Sequence, residues 1–380
     1  MRRIFSLALI IMLLFSMTAC SWLDDSPRSE DGRIILTLCA SYRDYNLTHA
    51  VQTFNENNEK YRIEFVDSAH FGGVTFADIY IFTGLGGIIG SDCPSTFINL
   101  YPYLDNDETY SRESFVPNLL EGMEQEDGSL YALPTSFQVK CLITDYPLSA
   151  DNLSTDNIKE VAGDKPIFQV WREKEDLISL MAAYLVGSRV DTETSFCDFT
   201  DPELSKLLQL CKENEYDSSS QARQDELLTF NWLQFPKNVF TEKDKTTNQS
   251  QIINSIDGKS TAAALSVDAC YAISTLCEHP DAAWDFITST LETTIDYNTE
   301  NFPSTWDGSY YDDFVTEENL KATYEFIANT KYVENQYYYL ERILINEATK
   351  YFESRQSLEV TINNIQVQSE AWLIIHYGRQ

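Results

Sequence analysis

The residues able to bind or transform a ligand are scattered, and their spacing excludes most familiar sites. Gly84, Gly86 and Gly90 come after the apolar run "ADIYIF" (77–82) as G-x-G-x-x-x-G, one residue off the dinucleotide fingerprint. That fingerprint needs the first strand of a fold, a helix directly after it, and an acidic residue on a second strand about 20 residues on. Here the run is the third apolar strand in order, and Pro94 interrupts the segment beyond the glycines. The glycines therefore read as a tight turn, or as a loop lining a cleft at the carboxyl end of a strand, and no cofactor is expected. Neither G-x-S-x-G nor H-E-x-x-H occurs, and His49, His70, His279 and His376 are isolated in sequence. "DNDET" (105–109) lacks the glycine and the terminal glutamate of a calcium loop. The cysteines include no C-x-x-C pair and match no zinc module, so most read as buried small hydrophobes. No catalytic residue and no metal site is expected.

Any site must be positioned by a fold, and the chain is long enough to build one of some size. With 380 residues, 43% of them hydrophobic, it can form two sizeable cores. Its net charge of −32 repels phosphate backbones, which excludes nucleic acid as a partner. Aromatic residues are abundant (22 Tyr, 21 Phe, 6 Trp), and aromatics serve first as core payload. "RIILTLCA" (33–40), "YRIEFVD" (61–67) and "FADIYIF" (76–82) read as strands, with a helix carrying Leu47, Val51 and Phe54 between the first two. This β-α-β opening predicts an α/β fold with a parallel sheet. "LYALPTSFQVKCLITD" (130–145) is strand-like but interrupted by Pro134, which argues for an edge or a crossing between units. "STAAALSVDACYAIST" (260–275) reads as a pair of small-residue strands, and the other segments after residue 170 are mostly helical.

The first residues suggest a destination. Arg2 and Arg3 precede an apolar stretch, Ile4–Met17, that is too short to span a bilayer comfortably. "MTAC" then resembles a bacterial lipobox, in which Cys20 becomes the lipid-modified first residue of the mature chain. "SWLDDSPRSEDG" (21–32) reads as a polar tether. The expectation is an exported lipoprotein held outside the cytoplasm on the cell membrane.

The order of segments over nearly the whole chain resembles the extracellular solute-binding proteins of bacterial ABC importers, in particular the carbohydrate-binding group that includes maltose-binding proteins. The pieces that carry the resemblance are "IILTLCASYRDYNLTHAVQTFNENNEKYRIEF", "ADIYIF", "INLYPYLDND", "DGSLYALPTSF", "YAISTLCEHPDAAWDFI" and "INEATKYFESRQSLEVTINNIQ". Ala272 stands where the family pattern usually has glycine. The resemblance implies a periplasmic-binding-protein-like fold of two discontinuous α/β lobes joined by crossover hinge strands. A signal peptide would take residues 1–19 and the tether 20–30. Lobe one would take 31–133 plus 262–305, and lobe two 134–261 plus 306–380. It further implies a monomer that captures a sugar or oligosaccharide between the lobes and delivers it to an ABC permease. Ligand contacts are expected at Tyr42, Asp44, Phe82, Thr83, Ser136, Phe137, Trp232, Trp306, Tyr337 and Tyr338. A sensory or structural lipoprotein that kept the fold without transport, and an exported enzyme acting on polysaccharide, are the alternatives.

On the lipobox reading, Cys20→Ser should leave the protein in the aqueous phase of a detergent-partition assay, whereas the unaltered chain enters the detergent. Equal partitioning of the two would remove the lipid anchor.

Overall fold

The computed structural model describes residues 26–40, 43, 45–66, 76–83, 93–125, 127–144, 153–168, 174–213, 227–233, 251–252, 263–293, 302–305, 307, 317–334 and 336–378. The chain opens with β1 (Ile34–Ala40), α1 (Tyr45–Asn57), β2 (Tyr61–Val66) and β3 (Ile79–Thr83). β1 runs parallel to both β2 and β3, as the β-α-β pattern predicts. Leu47, Ala50, Val51 and Phe54 form the buried face of α1 at the spacing of one helical stripe. Asp78, at the foot of β3, locks this sheet: one carboxylate oxygen accepts from both the amide and the hydroxyl of Thr37 on β1, each at 2.7 Å.

Two long strands come next in the sheet, β4 (Leu133–Thr144) and, after α2 (Lys174–Gly187), α3 (Pro202–Glu213) and β5 (Thr229–Leu233), β6 (Ala263–Ile273). The segment read as a pair of strands is thus one strand; its small residues give no turn. β6 is antiparallel to β3 on one side and to β4 on the other. Pro134 does not sit at an edge. It lies inside the sheet at a register irregularity, where a missing amide donor is tolerated. The chain ends with α4 (Pro280–Thr293), β7 (Phe302–Pro303), α5 (Glu317–Ala328), α6 (Tyr338–Phe352) and α7 (Leu358–His376). The main sheet runs β7-β4-β6-β3-β1-β2, with β5 also paired to β4.

The buried apolar residues fall into two clusters. One gathers β1–β3, α1, α4, most of β6 and β4 as far as Cys141, together with Leu320, Ile327 and Val333. The other begins at Leu142 and gathers α2, α3, α6 and α7. Phe137, Val139 and Cys141, with Leu320 and Ile327 of α5, therefore pack with the first cluster, although the expected boundaries placed residues 134–141 and 306–330 in the second lobe. Burial accounts for the difference: alternate residues of β4, with Leu320 and Ile327 of α5, are buried in the first core. Among the described residues six cysteines are free and buried. Burial pushes the thiols of Cys141 and Cys211 up to about 12, and those of Cys39 and Cys270 upward as well.

The second cluster is pinned by two polar knots. Arg189, fully buried, donates from Nε to Asp201 at 2.7 Å and from Nη1 to the Leu185 carbonyl near the end of α2 at 3.1 Å. Asp201 in turn accepts from the amides of Glu203 and Leu204, capping α3 at the turn where Pro202 starts it. Glu347 on α6, also buried, accepts from Gln356 and Gln368 at 3.0 Å and from Asn364 at 3.1 Å, and it pairs with Lys350. It ties α6 to the turn after it and to α7.

Removing one member of the buried Arg189–Asp201 pair leaves the other charged and unsatisfied. Asp201→Ala should therefore lower stability by about 3–5 kcal/mol, read as the urea midpoint. Arg189→Met/Asp201→Asn, which keeps the cap and removes both charges, should cost less than Asp201→Ala alone. Burial pushes the Glu347 carboxyl up, but the hydrogen bonds from Lys350, Gln356, Gln368 and Asn364 outweigh it and hold the group at about 2, below its ordinary 4.5. Its contribution to stability is then complete above pH ~4.5 and fades as pH falls toward 2. Glu347→Gln should flatten the loss of urea midpoint between about pH 5 and pH 2.5; an unchanged acid slope would contradict the assignment.

Candidate functional site

β4 and β6 present two different faces, because successive strand side chains alternate. Phe137, Val139 and Cys141 point with Leu265 and Val267 into the first core. Ser136, Gln138 and Lys140 carry the intervening positions of β4, and Ser266 and Asp268 those of β6. Gln138 is paired with Ser266 and Lys140 with Ala264, so the polar positions of the two strands share a face. Ser136 Oγ lies 3.5 Å from Asp268 Oδ2.

A third segment completes this surface. After α5 the chain returns to β6 as an isolated parallel bridge between Leu265 and Val333. The Leu265 amide donates to the Tyr332 carbonyl at 2.8 Å, and the Glu334 amide donates to the Leu265 carbonyl at 2.7 Å. One Glu334 carboxylate oxygen accepts from the Lys140 ammonium and the other from the Ser266 hydroxyl. The result is a polar floor with a neutral amide, hydroxyls, two carboxylates and one ammonium, built on the segments that connect the two cores. Such a mixture of donors and acceptors suits a neutral, polyhydroxylated ligand.

A serine–histidine contact exists elsewhere. Ser26 Oγ lies 3.0 Å from His279 Nε2, and it donates to Glu278 at 3.1 Å. The carboxylate meets the serine rather than the second ring nitrogen, so this is not the arrangement in which an acid orients a histidine base. It fastens the leading segment to the start of α4. Among the described residues no group of three or more His, Cys, Asp or Glu could hold a metal ion, and no helix is long and apolar enough to cross a membrane.

No protein-family model and no curated protein matches the sequence. Solved structures do match it. An ABC substrate-binding protein from Listeria monocytogenes in complex with cycloalternan is 14% identical, with a TM-score of 0.60 over 91% of this chain and 99% of that one. An ABC transporter solute-binding protein from Thermotoga lettingae bound with α-D-tagatose is 15% identical, with a TM-score of 0.57 over 89% and 99%. The sugar-binding protein MalE from Xanthomonas citri is 11% identical, with a TM-score of 0.58 over 91% and 100%. The chain has the fold of ABC solute-binding proteins.

Within this solute-binding fold the expected ligand contacts separate. Ser136 lies on the polar face beside Asp268. Thr83 ends β3 in register with Ala269, next to Asp268 along β6, and Trp232 on β5 is in register with Lys140. Phe82 and Phe137 do not offer open ring faces. Phe82 is 7% exposed and packs against Tyr80 and Phe97, with ring centroids at 6.1 and 5.7 Å. Phe137 is fully buried and stacks on Phe302 at 5.5 Å. Both take core positions. Tyr337, at the start of α6, is half-buried; burial pushes its hydroxyl up, and Tyr332, Glu121 and Asp191 add to the shift. Tyr338 meets Tyr339 edge-on at 5.4 Å. Tyr42, Asp44, Trp306 and Cys20 lie outside the described residues, as does the Gly84–Gly90 loop.

Gln138, Lys140, Ser266, Asp268 and Glu334 were not expected in the site. "SFQVK" and "LSVD" carry the signal for the first four: polar residues at every second position of otherwise buried strands. Nothing in the sequence around Glu334 marks it, because its role comes from a contact 194 residues away in the chain.

Proposed function

We propose that the protein is an extracytoplasmic, lipid-anchored solute-binding protein that captures a sugar or oligosaccharide on the polar face of its crossing strands and hands it to an ABC permease. The observation that carries this reading is the placement of Ser136, Gln138, Lys140, Ser266, Asp268 and Glu334 on the segments between the two cores of a solute-binding fold. On this reading the first core is lobe one, the second is lobe two, and the cleft lies over the polar face. Gln138 supplies both an amide donor and a carbonyl acceptor for sugar hydroxyls. Asp268 accepts from a further hydroxyl. The Lys140–Glu334 pair cancels two of the three charges and leaves Asp268 as the one net negative charge of the floor, an acceptor for sugar hydroxyls. Trp232 is in register with Lys140 along the neighbouring strand, and on this reading it is the aromatic assigned to a sugar face. Support comes from structures of the same fold that hold cycloalternan and tagatose. The chemistry is capture rather than turnover, since ligand binding from both sides of a cleft supplies the free energy for closure.

A thermal-shift screen of mono- and oligosaccharides tests the reading. A ligand at about a hundredfold excess over its Kd adds about 2.7 kcal/mol to the folded state, which raises the melting temperature by several degrees. Gln138→Ala should leave the unliganded melting temperature near that of the unaltered chain and weaken a positive sugar by about tenfold, the loss of one buried hydrogen bond. No shift across a broad sugar panel would overturn the proposal. A shift that survives Gln138→Ala unchanged would move the ligand off this face.

A further inference from the structure

Three consecutive residues of the third crossing each meet a different part of the molecule. The Tyr332 ring lies directly over Gly187, the last residue of α2. A Cβ at Gly187 would stand 2.3 Å from Cδ1 of the ring and 2.6 Å from Cε1. Val333 lies directly on Gly122, in the helical turn Glu121–Met123, where a Cβ would stand 2.1 Å from Cγ2. Neither glycine has the left-handed backbone that would itself call for glycine, so the close approach accounts for the missing side chains. Glu334 then grips Lys140 of β4 and Ser266 of β6. The three side chains are thus divided among the second core, the first core and the crossing strands.

We propose that Tyr332–Val333–Glu334 is a seat that fixes the resting angle between the lobes, with Gly187 and Gly122 as its two notches. The seat presupposes the two-lobe reading of the proposed function. β4 and β6 are paired to each other over most of their length, so they bend as one ribbon. The third crossing is held to that ribbon by two backbone hydrogen bonds to Leu265 and by the Glu334 contacts. Any rotation of lobe two against lobe one must therefore slide Tyr332 across α2 or Val333 across the Glu121–Met123 turn. A cavity of about 250 Å³ lined by Asn118, Glu121, Gly122, Lys331 and Gln336 opens on the turn that carries the Gly122 notch; Val333 itself is buried and does not line it. Close-packed interiors resist small displacements, so the side with free space yields first. The seat on lobe one is the one that moves, and Tyr332 travels with lobe two.

Gly187→Ala is the direct test, because helix propensity and the seat predict opposite outcomes. Alanine at the end of α2 would by itself raise the melting temperature. On the proposal it displaces the Tyr332 ring, lowers the melting temperature by a few degrees and changes the radius of gyration measured by X-ray scattering. Adding Tyr332→Ala should return the scattering curve to that of Tyr332→Ala alone. A Gly187→Ala protein with an unchanged scattering curve, or with a raised melting temperature, overturns the proposal. Should Gly187→Ala fail to melt cooperatively, Gly122→Ala decides: a changed radius of gyration supports the seat and an unchanged one sinks it. No sugar enters these measurements, so a negative sugar screen leaves them intact, and an unchanged curve leaves the sugar reading intact.

Discussion

The antiparallel register between β4 and β6 is the constraint on which the rest of the molecule depends. It sends Phe137, Val139, Cys141, Leu265 and Val267 to one side and Ser136, Gln138, Lys140, Ser266 and Asp268 to the other. A slip of one residue would exchange the two sets, exposing the apolar core and burying an amide, an ammonium and a carboxylate without partners. The site and the core are therefore specified by the same pairing. The irregularity around Pro134 and Ser136 falls at the N-terminal end of β4, where the strand also meets β7 through Phe137 and Phe302.

The two cores differ in how they are stiffened. The first is held by a sheet, with Asp78 clasping β1 and the Ser274 amide donating to its carbonyl at 2.9 Å. The second is mostly helical and relies on buried polar groups with several partners each, Arg189 with Asp201 and Glu347 with its three amides. Such groups cost desolvation and return it as geometry, since each fixes two or more helix ends at once. Each core is thus stiffened within itself.

Much of this architecture was legible in the sequence. The strand–helix–strand opening, the strand-like segment containing Pro134 and the mostly helical character after residue 170 all emerged from periodicity. The polar face of β4 and β6 was legible only in part. Phe82 and Phe137 were expected as ligand contacts from the family resemblance, but residue type does not say which face of a strand a ring occupies. Parity does: Phe137 shares its parity with Val139 and Cys141, whereas Ser136, Gln138 and Lys140 share the other. Glu334 was illegible because it lies after a helix in an irregular turn, and its partners are far away in the chain. The packing of α5 with the first core was illegible for a related reason. α5 has an ordinary amphipathic pattern, and the pattern does not say which core will cover it.

The buried thiols carry a consequence for the life of the chain. Once folded, Cys141, Cys211 and Cys270 are protonated and sealed from solvent, so oxidants and partner thiols find no thiolate to attack. Before folding, each has an ordinary thiol pKa and is exposed. Their period of chemical danger is therefore the time before the cores close. Burial and wrongful cross-linking would then race, and rapid closure of the two cores would protect the protein as effectively as any reductant.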